Sequence, residues 1–371
     1  MKTSRFTGAG LAAFAGAIAL TLSACSSGPQ GDGANGANTS GSTSGSGSSA
    51  SGTINGSGAS SQTNAQQAWR DNFSSVEPGI TVNYEATGSG TGREQFIGGQ
   101  VQFAGSDAAL SADELASAKE VCGEVLELPV YISPIAVAYN LPGIDDLNLS
   151  AANVAGIFSG TITNWNDPAI AADNPDVELP DLDIIPVNRA DKSGTTENFT
   201  GYLAEAAPDV WTEDPNEVWP ITGTQSAEKT SGVVQLTQSV EGAVTYADAS
   251  QIGDLSHANI EVNGDFLAYS PEAAAAIVDN SPAADDATDT ILTYDLARDG
   301  SVEGAYPIIM VSYLIGCQTY DDETVAENVR AYFTYVASAD GQDVATKAGA
   351  GNAPISDELR TKVQAAIDTI K

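Results

Sequence analysis

Histidine and cysteine are scarce in this chain. It has one histidine, His257, and three cysteines among 371 residues. These residues are too few to assemble a zinc cluster, and a histidine-dependent hydrolytic triad would have to be built on His257 alone. Most hydrolase chemistry is therefore disfavoured.

Basic residues are also few. Only 14 lysines and arginines stand against 49 aspartates and glutamates, which gives a formal net charge of -35. A surface of this charge repels nucleic acid and anionic membranes, so we expect neither as a direct partner. The acidic excess is otherwise typical of a soluble or salt-adapted protein. The length suffices for two lobes, and a hydrophobic content of 42% suffices for a core in each.

The N-terminal segment has the composition of an export signal. Basic residues precede an apolar run over about 9–22, which is too short for a comfortable membrane span but typical of a signal-peptide core. Residues 22–25 then resemble a bacterial lipobox, in which the cysteine is acylated and becomes the mature N-terminus. We expect residues 1–24 to be a lipoprotein signal peptide and Cys25 to carry lipid. The alternative is an ordinary cleavage site followed by an unpaired thiol.

The segment after Cys25 is poor in large apolar side chains. Residues 26–51 are mostly Gly, Ser, Thr, Asn and Ala, and they cannot bury enough surface to offset the entropy of ordering. A random coil of this length has an r.m.s. span of roughly 25 to 30 Å. We expect residues 25–51 to be a lipid-anchored flexible linker that holds a folded domain off a membrane without fixing its orientation.

With Cys25 assigned to lipid, two cysteines remain, Cys122 and Cys317. In an exported protein, an even remainder most simply forms one disulfide. The alternative is two separate buried thiols, because the sequence does not show whether the two Cα atoms come within bonding distance.

Strand-like and helix-like patterns alternate from about Gly52 onward, which is typical of an α/β fold with a largely parallel sheet. Two long strand-like segments, 130–140 and 307–315, could carry the chain out of one lobe and back. The alternative is two unrelated core strands of a single domain. The predicted division is a first lobe of residues 52–134 and 306–371 and a second lobe of residues 135–305.

Two helix starts have the spacing of a capping box, in which two side chains satisfy free backbone N–H groups at the start of a helix. These pairs are Thr91 with Glu94 and Ser111 with Glu114. We expect a helix to begin just after each cap.

Three turns rich in Gly, Ser and Thr each precede a helix-like stretch. They comprise residues 56–61, 88–92 and 191–196. Each leaves free backbone N–H groups at a helix start, with hydroxyls nearby and glycines that permit close approach, which is the general chemistry of a site for a tetrahedral oxyanion. Any one of these turns is more often a plain helix cap. Three of them on successive units of one sheet indicate an anion site.

Two charged residues lie near these turns. Arg189, four residues before Ser193, could offer a fixed guanidinium fork to the same oxyanion. The alternative is a surface salt bridge between Arg189 and Asp191. Asp107 lies just after a predicted strand that ends at Ala104, and it could point a carboxylate into the same cleft. The alternative is that Asp107 caps the next helix.

Together these segments resemble the phosphate-binding protein of the phosphate-specific transport (Pst) ABC importer, the PstS family. The resemblance spans essentially everything after the linker. Its most specific motifs are Gly56 to Ser60, Gly88-Ser89-Gly90, Phe103 to Asp107, and Arg189 to Thr195. The resemblance implies a type II periplasmic-binding-protein fold, with two lobes joined by two hinge crossings and the ligand cleft between them.

The resemblance also implies a ligand set and partners. The implied phosphate contacts are Ser60, Ser89, Asp107, Arg189, Ser193, Gly194 and Thr195, with Asp191 holding Arg189 in place. Such a protein captures inorganic phosphate with high affinity, closes its lobes over the desolvated ion, and delivers it to the permease and ATPase subunits of an ABC importer. It would be an extracytoplasmic monomer, anchored to the cell membrane through Cys25 alone, with no cofactor, metal or catalytic residue.

The chain departs from the family pattern at two places. The usual Thr-Phe after the first Gly-rich turn is Ser60-Ser61 here, which keeps a hydroxyl but loses an aromatic wall. The proline common after Ser-Asp-Ala is Ala109. These departures bear on affinity and lobe dynamics more than on the identity of the ion.

Other functions stay open at this point. A receptor for sulfate or molybdate is disfavoured by Asp107, because neither anion carries a proton at neutral pH that the carboxylate could accept. A phosphatase would need a nucleophile and metal ligands, for which we find no candidates. A non-transport surface protein would leave the three turns unexplained.

Overall fold

The computed structural model describes residues 50–371. The predicted signal peptide, Cys25 and residues 25–49 of the predicted linker lie outside the described residues. Strands and helices alternate along the described chain, which confirms the α/β class. Within this part of the chain, no helix is both long and apolar enough to cross a membrane.

The strands supply most of the buried centre of the molecule. In chain order they are β1 (Gly52–Gly58), β2 (Ile80–Glu85), β3 (Phe103–Ser106), β4 (Val125–Tyr139), β5 (Leu147–Leu149), β6 (Ile185–Arg189), β7 (Gln225–Ala227), β8 (Ala243–Asp248), β9 (Ser256–Val262), β10 (Asp265–Leu267) and β11 (Ile309–Cys317). Strands β4 and β11 are rich in aliphatic residues and are buried along their whole length, as expected of strands that are covered on both faces.

Helices connect and cover these strands. In chain order they are α1 (Thr63–Val76), α2 (Ser89–Ile97), α3 (Ala112–Cys122), α4 (Ala151–Ser159), α5 (Pro168–Asp173), α6 (Gly194–Ala206), α7 (Lys229–Ser239), α8 (Pro271–Asp279), α9 (Glu323–Ala337), α10 (Ala339–Lys347) and α11 (Asp357–Ile367). The predicted capping box of Ser111 and Glu114 is confirmed at the start of α3. The one predicted at Thr91 is wrong, because α2 begins at Ser89, directly after Gly88.

The strand order is β2-β1-β3-β11-β4-β8-β6-β7. Strand β1 pairs in parallel with β2 and β3, and β6 pairs in parallel with β7 and β8. Strands β4 and β11 run antiparallel to their neighbours in the centre. The expectation of a largely parallel sheet therefore holds at the two ends and fails in the middle.

Strand β4 is shared between two parts of the sheet. Its residues 125–134 pair with β11, whereas residues 135–139 pair with β8. We name the part formed by β1, β2, β3, β11 and residues 125–134 the first region. The part formed by β6, β7, β8 and residues 135–139 is the second region.

Each region has its own aromatic cluster. Rings of Phe73, Phe103, Tyr332 and Phe333 lie within contact distance of one another beside the first region. Rings of Phe158, Phe199, Trp219 and Tyr246 pack in the same way beside the second region. Aromatic pairs at such distances add to the energy of burial, and both clusters belong to one continuous hydrophobic core.

The predicted disulfide between Cys122 and Cys317 is confirmed. Cys122 ends α3 and Cys317 ends β11, and their Cα atoms are 4.9 Å apart, within the usual range for a disulfide. The alternative of two separate thiols is thus excluded.

Candidate anion-binding site

The three predicted turns meet between the first and second regions. From the first region, Ser60 and Asp107 follow β1 and β3, and Ser89 begins α2. From the second region, Arg189 ends β6 and Ser193 caps α6. Ligands in such sheets bind beyond the carboxyl ends of parallel strands, and these residues lie at such ends.

Two glycines allow the regions to approach each other. Gly88 has a φ of 99°, and a Cβ at this position would lie 2.6 Å from Oδ2 of Asp191. A Cβ on Gly194 would lie 2.5 Å from the backbone nitrogen of Ala108. Both distances are shorter than ordinary contacts, so a larger residue at either position would push the two regions apart.

Arg189 is held in a fixed orientation by Asp191. Its Nε donates to Oδ1 at 2.7 Å and its Nη2 to Oδ2 at 2.5 Å, and the Arg189 side chain is 2% exposed. The backbone N–H of Lys229 also donates to Oδ1, at 3.0 Å. Burial raises the pKa of Asp191, but the hydrogen bonds and positive charge of Arg189 outweigh it and keep the pKa below its usual value. The alternative of a surface salt bridge is therefore wrong, since the pair is largely buried.

The Arg189–Asp191 pair leaves one end of the guanidinium unused. Among residues 50–371, Nη1 of Arg189 forms no hydrogen bond, whereas its other two nitrogens are both bonded to Asp191. A guanidinium held in this way presents a preorganised donor, which is suited to a carboxylate or phosphate oxygen.

Asp107 is buried and accepts three hydroxyl hydrogen bonds. Ser61 and Ser312 both donate to Oδ1 at 2.6 Å, and Thr195 donates to Oδ2 at 2.9 Å. The backbone N–H of Asp107 donates to Oγ of Ser89 at 3.1 Å. The alternative that Asp107 caps the next helix is wrong, because that helix is capped by Ser111.

Burial raises the pKa of Asp107 above its ordinary value. The hydroxyl donors Ser312, Ser61 and Thr195, and the positive charge of Arg189, lower it in part. Asp107 is thus a buried acceptor placed among hydroxyl donors.

Two helices direct their N-termini toward this carboxylate and guanidinium. Ser193 caps α6 by accepting from the backbone N–H of Thr196 at 3.3 Å. The backbone N–H groups of Ser89, Gly194 and Thr195 donate to no acceptor in the described part of the chain, as is usual in a first helical turn. Such groups, together with the helix dipole, favour an anion.

Ser60 makes a different contact. Its Oγ lies 3.0 Å from Oγ1 of Thr230 and accepts the backbone N–H of Thr230 at 3.1 Å. The hydroxyl of Ser60 thus bonds to the start of α7, in the second region, and not to Asp107. Ser89, Gly194 and Thr195 contact Asp107. The hydroxyl of Ser193 bonds within the start of α6.

A charged cluster borders the site. Arg93, on α2, bonds to Glu114 at 3.2 Å and to Glu217 at 2.6 Å. Lys192 bonds to the same two glutamates, at 2.8 Å and 3.2 Å. Burial raises the pKa of Glu114, but Lys192, the backbone N–H of Ser111 and Arg93 together lower it to about 2. The cluster links α2 and α3 of the first region to the turn before α6.

Sequence reasoning missed several of these partners. The sequence marked Ser61 only as the place where an aromatic wall is lost, although its hydroxyl donates directly to Asp107. Ser312 was missed altogether, although a lone serine within the aliphatic strand β11 is a signal for a buried polar contact. Thr230 was missed because nothing in the sequence relates it to the first Gly-rich turn.

No metal centre is evident in residues 50–371, where no three His, Cys, Asp or Glu side chains are grouped to hold a metal ion.

Comparisons with known proteins support a relationship over the whole chain. The family described as PBP superfamily domain matches residues 42–340. The chain is 35% identical to phosphate-binding protein PstS3 of Mycobacterium bovis BCG, with 100% of each chain covered. It is 33% identical to phosphate-binding protein PstS of Haemophilus influenzae, over 73% of this chain and 80% of that protein.

A solved structure shares the fold. The high-affinity periplasmic phosphate-binding protein PfluDING, bound with phosphate, matches with a TM-score of 0.68 at 24% identity, over 85% of this chain and 93% of that chain. At this identity the likeness shows the fold alone, and it confirms the fold that the sequence predicted.

Proposed function

This chain belongs to the PstS family of phosphate-binding proteins within the PBP superfamily, and on that premise we propose that it captures inorganic phosphate for an ABC importer. One observation carries the choice of ligand. A buried carboxylate, Asp107, and a buried guanidinium, Arg189, lie beside the same two helix N-termini. Donors alone would suit any oxyanion, whereas an added acceptor suits an oxyanion that keeps a proton.

The proposed ligand set is the one that the family resemblance implied. Phosphate contacts come from Ser60, Ser89, Asp107, Arg189, Ser193, Gly194 and Thr195. Arg189 supplies positive charge through Nη1, and Asp191 holds it in place. The free backbone N–H groups at the starts of α2 and α6 donate to the phosphate oxygens. Asp107 accepts the proton that phosphate retains near neutral pH.

This acceptor predicts that the site rejects sulfate. A fully deprotonated oxyanion would place like charge against Asp107 and leave a hydrogen bond unmade. Sites of this kind can discriminate by about 10⁴ to 10⁵. A receptor for sulfate or molybdate is therefore the weaker alternative.

We place the lobe boundaries at the positions that the sequence suggested. The first lobe comprises residues 52–134 and 306–371, and the second comprises residues 135–305. The change of partner within β4, from β11 to β8, falls between Pro134 and Ile135 and supports this boundary. Strand β4 and the segment leading into β11 would then be the two hinge crossings.

The proposed setting is the outer face of a cell membrane. Cys25 carries the lipid anchor, the following linker gives the domain reach, and permease and ATPase subunits of an importer receive the phosphate. The protein acts as a monomer, without cofactor or catalysis. Replacing Cys25 by serine should release the protein from membranes into the soluble fraction, and retention of the variant on membranes would contradict the anchor.

Titration calorimetry of the purified protein with phosphate and with sulfate tests the function. We expect saturable phosphate binding and no sulfate binding at neutral pH. A parallel assay with a chromogenic phosphomonoester separates binding from a phosphatase, since a binding protein should release no product. Equal affinity for both anions, or steady hydrolysis, would overturn the proposal.

A further inference from the structure

A buried chain of hydrogen bonds ends on Asp107. Oη of Tyr332 donates to Oε1 of Gln66 at 2.7 Å, and Nε2 of Gln66 donates to Oε1 of Gln62 at 2.8 Å. Nε2 of Gln62 then donates to Oγ of Ser312 at 2.7 Å. Oγ of Ser312 in turn donates to Oδ1 of Asp107 at 2.6 Å. All five residues are buried.

The direction of this chain is fixed at Gln62. Its Nε2 also lies 3.1 Å from the backbone oxygen of Tyr313, which can only accept a hydrogen bond. The amide nitrogen of Gln62 must therefore face Tyr313 and Ser312. Because Oγ of Ser312 accepts from Gln62, the hydroxyl proton of Ser312 is left for Asp107.

Consequently the two oxygens of Asp107 differ. Oδ1 accepts hydrogen bonds from the hydroxyls of Ser61 and Ser312, both at 2.6 Å. Two such donors occupy both lone pairs of this oxygen, so it has little capacity to bind a proton of its own. Within the described part of the chain, Oδ2 accepts only the hydroxyl hydrogen bond of Thr195 at 2.9 Å, so it keeps acceptor capacity.

We propose that Gln62 is a positioning residue for oxyanion selectivity: it forces Ser312 to donate to Asp107, which holds the carboxylate ionised and leaves Oδ2 as the acceptor for a ligand proton. The inference rests on the proposed function, because it takes Asp107 to be the group that accepts a hydrogen bond from protonated phosphate. It adds a residue that makes no contact with the ion.

Other groups that face Asp107 do not replace the hydrogen bond that Gln62 forces Ser312 to donate. Arg189 stabilises the ionised form from the end of β6. Tyr84, on β2, donates its hydroxyl to the backbone oxygen of Ala59 at 3.0 Å and so gives no proton to Asp107. Glu197 and Arg298 line a cavity that also reaches Asp107. Among residues 50–371, only the hydroxyls of Ser61, Ser312 and Thr195 bond to the carboxylate.

The test is the pH dependence of sulfate binding, measured by calorimetry from about pH 4 to about pH 8. A protonated Asp107 can donate to sulfate, so sulfate affinity should appear as the pH falls through the pKa of Asp107. Gln62→Met keeps the length of the side chain and removes the amide. Without that amide, Ser312 is no longer forced to donate to Oδ1, so the ionised carboxylate of Asp107 is less stabilised and the onset should move upward by about half a pH unit to one unit.

Further variants show whether Gln62 acts through Ser312. Ser312→Ala should move the onset in the same direction, and Gln62→Met should add nothing in that background. Ser312→Thr keeps the hydroxyl and should restore the wild-type profile. Gln67→Met is the matched control, because Gln67 lies on the exposed face of α1 and its amide bonds to Asp71. It should leave the profile unchanged.

Several outcomes would overturn the proposal. These are an unmoved onset in folded Gln62→Met, additive shifts in the double variant, or no sulfate binding at acid pH in any variant. Should Gln62→Met fail to fold, Ser312→Ala and Ser312→Thr decide the matter by themselves. Loss of the proposed function is a separate result, since it would appear as absent phosphate binding in the wild-type protein.

Discussion

Replacing Asp107 by asparagine changes the charge of the site and keeps its shape. The two hydroxyls on Oδ1 come from Ser61 and Ser312, and Ser312 cannot reverse its hydrogen bond while Gln62 donates to it. The new amide nitrogen should therefore take the place of Oδ2. There the hydroxyl of Thr195 can rotate from donor to acceptor, so the variant loses no buried hydrogen bond.

The expected rise in sulfate affinity can be worked out from the hydrogen bond that sulfate gains in the variant. An amide at the Oδ2 position offers a donor where the wild-type site presents a negative acceptor. A hydrogen bond to a charged group contributes about 1.5–3 kcal/mol, which corresponds to about 10- to 100-fold in affinity. Relief of charge repulsion adds to this, so we expect sulfate affinity to rise at least about 10-fold. Phosphate affinity should change less, because phosphate can turn an unprotonated oxygen toward the amide.

Calorimetry with both anions at neutral pH measures this change. Asp248→Asn is a matched control, because Asp248 is also a buried aspartate, and burial raises its pKa to about 7. It bonds to Tyr131 and Ser250, away from the proposed ligand set, and should gain no sulfate affinity. If the folded Asp107→Asn variant rejects sulfate as strongly as the wild type, Asp107 does not determine selectivity.

The remaining predictions concern the disulfide, salt and the charged cluster. Labelling of the unfolded, unreduced domain should find no free thiol at Cys122 or Cys317, and replacing both by serine should lower the free energy of unfolding by about 2–5 kcal/mol; two labelled thiols per chain would contradict the bridge. Stopped-flow phosphate association should not slow with added salt, because the net charge of -35 repels the anion and salt screens it beyond about 8 Å; a steep fall would indicate positive steering. Glu114→Gln should speed phosphate release, because glutamine can keep the helix cap but loses the ion pairs with Arg93 and Lys192. The control Glu358→Gln removes an exposed ion pair and should leave the release rate unchanged. Because the folded pKa of Glu114 is lowered to about 2, its contribution to stability is present above about pH 4.5 and should vanish in urea titrations as the pH falls through 2.

The parts of the site that the sequence could predict are local. A Gly-rich turn and the helix that follows it lie within a few residues of each other, so the sequence indicates both at Ser89 and at Ser193, where a hydroxyl cap also starts the helix. The turn at Gly88 shows the limit of this reasoning. Its φ of 99° lets α2 start at Ser89, earlier than the spacing of Thr91 and Glu94 suggested.

The parts that could not be predicted depend on packing between distant segments. Gln62 and Ser312 are 250 residues apart, and Arg93 and Glu217 are 124 apart. Each of these contacts exists because two elements adjoin in the folded sheet, and no spacing along the chain encodes that neighbourhood. For the same reason the sequence left a helix cap open for Asp107, whereas the partners of its carboxylate come from the turn before α1, from α6 and from β11.

The disulfide makes the molecule a ring with two tails. Joining Cys122 to Cys317, which are 195 residues apart, closes every residue between them into one covalent loop. The proposed second lobe lies wholly inside this loop, so a single proteolytic cut there opens the ring without releasing a fragment. Ser89 and Asp107 belong to the N-terminal tail, whereas Arg189 belongs to the ring. The proposed anion site is therefore assembled where a tail folds back onto the ring.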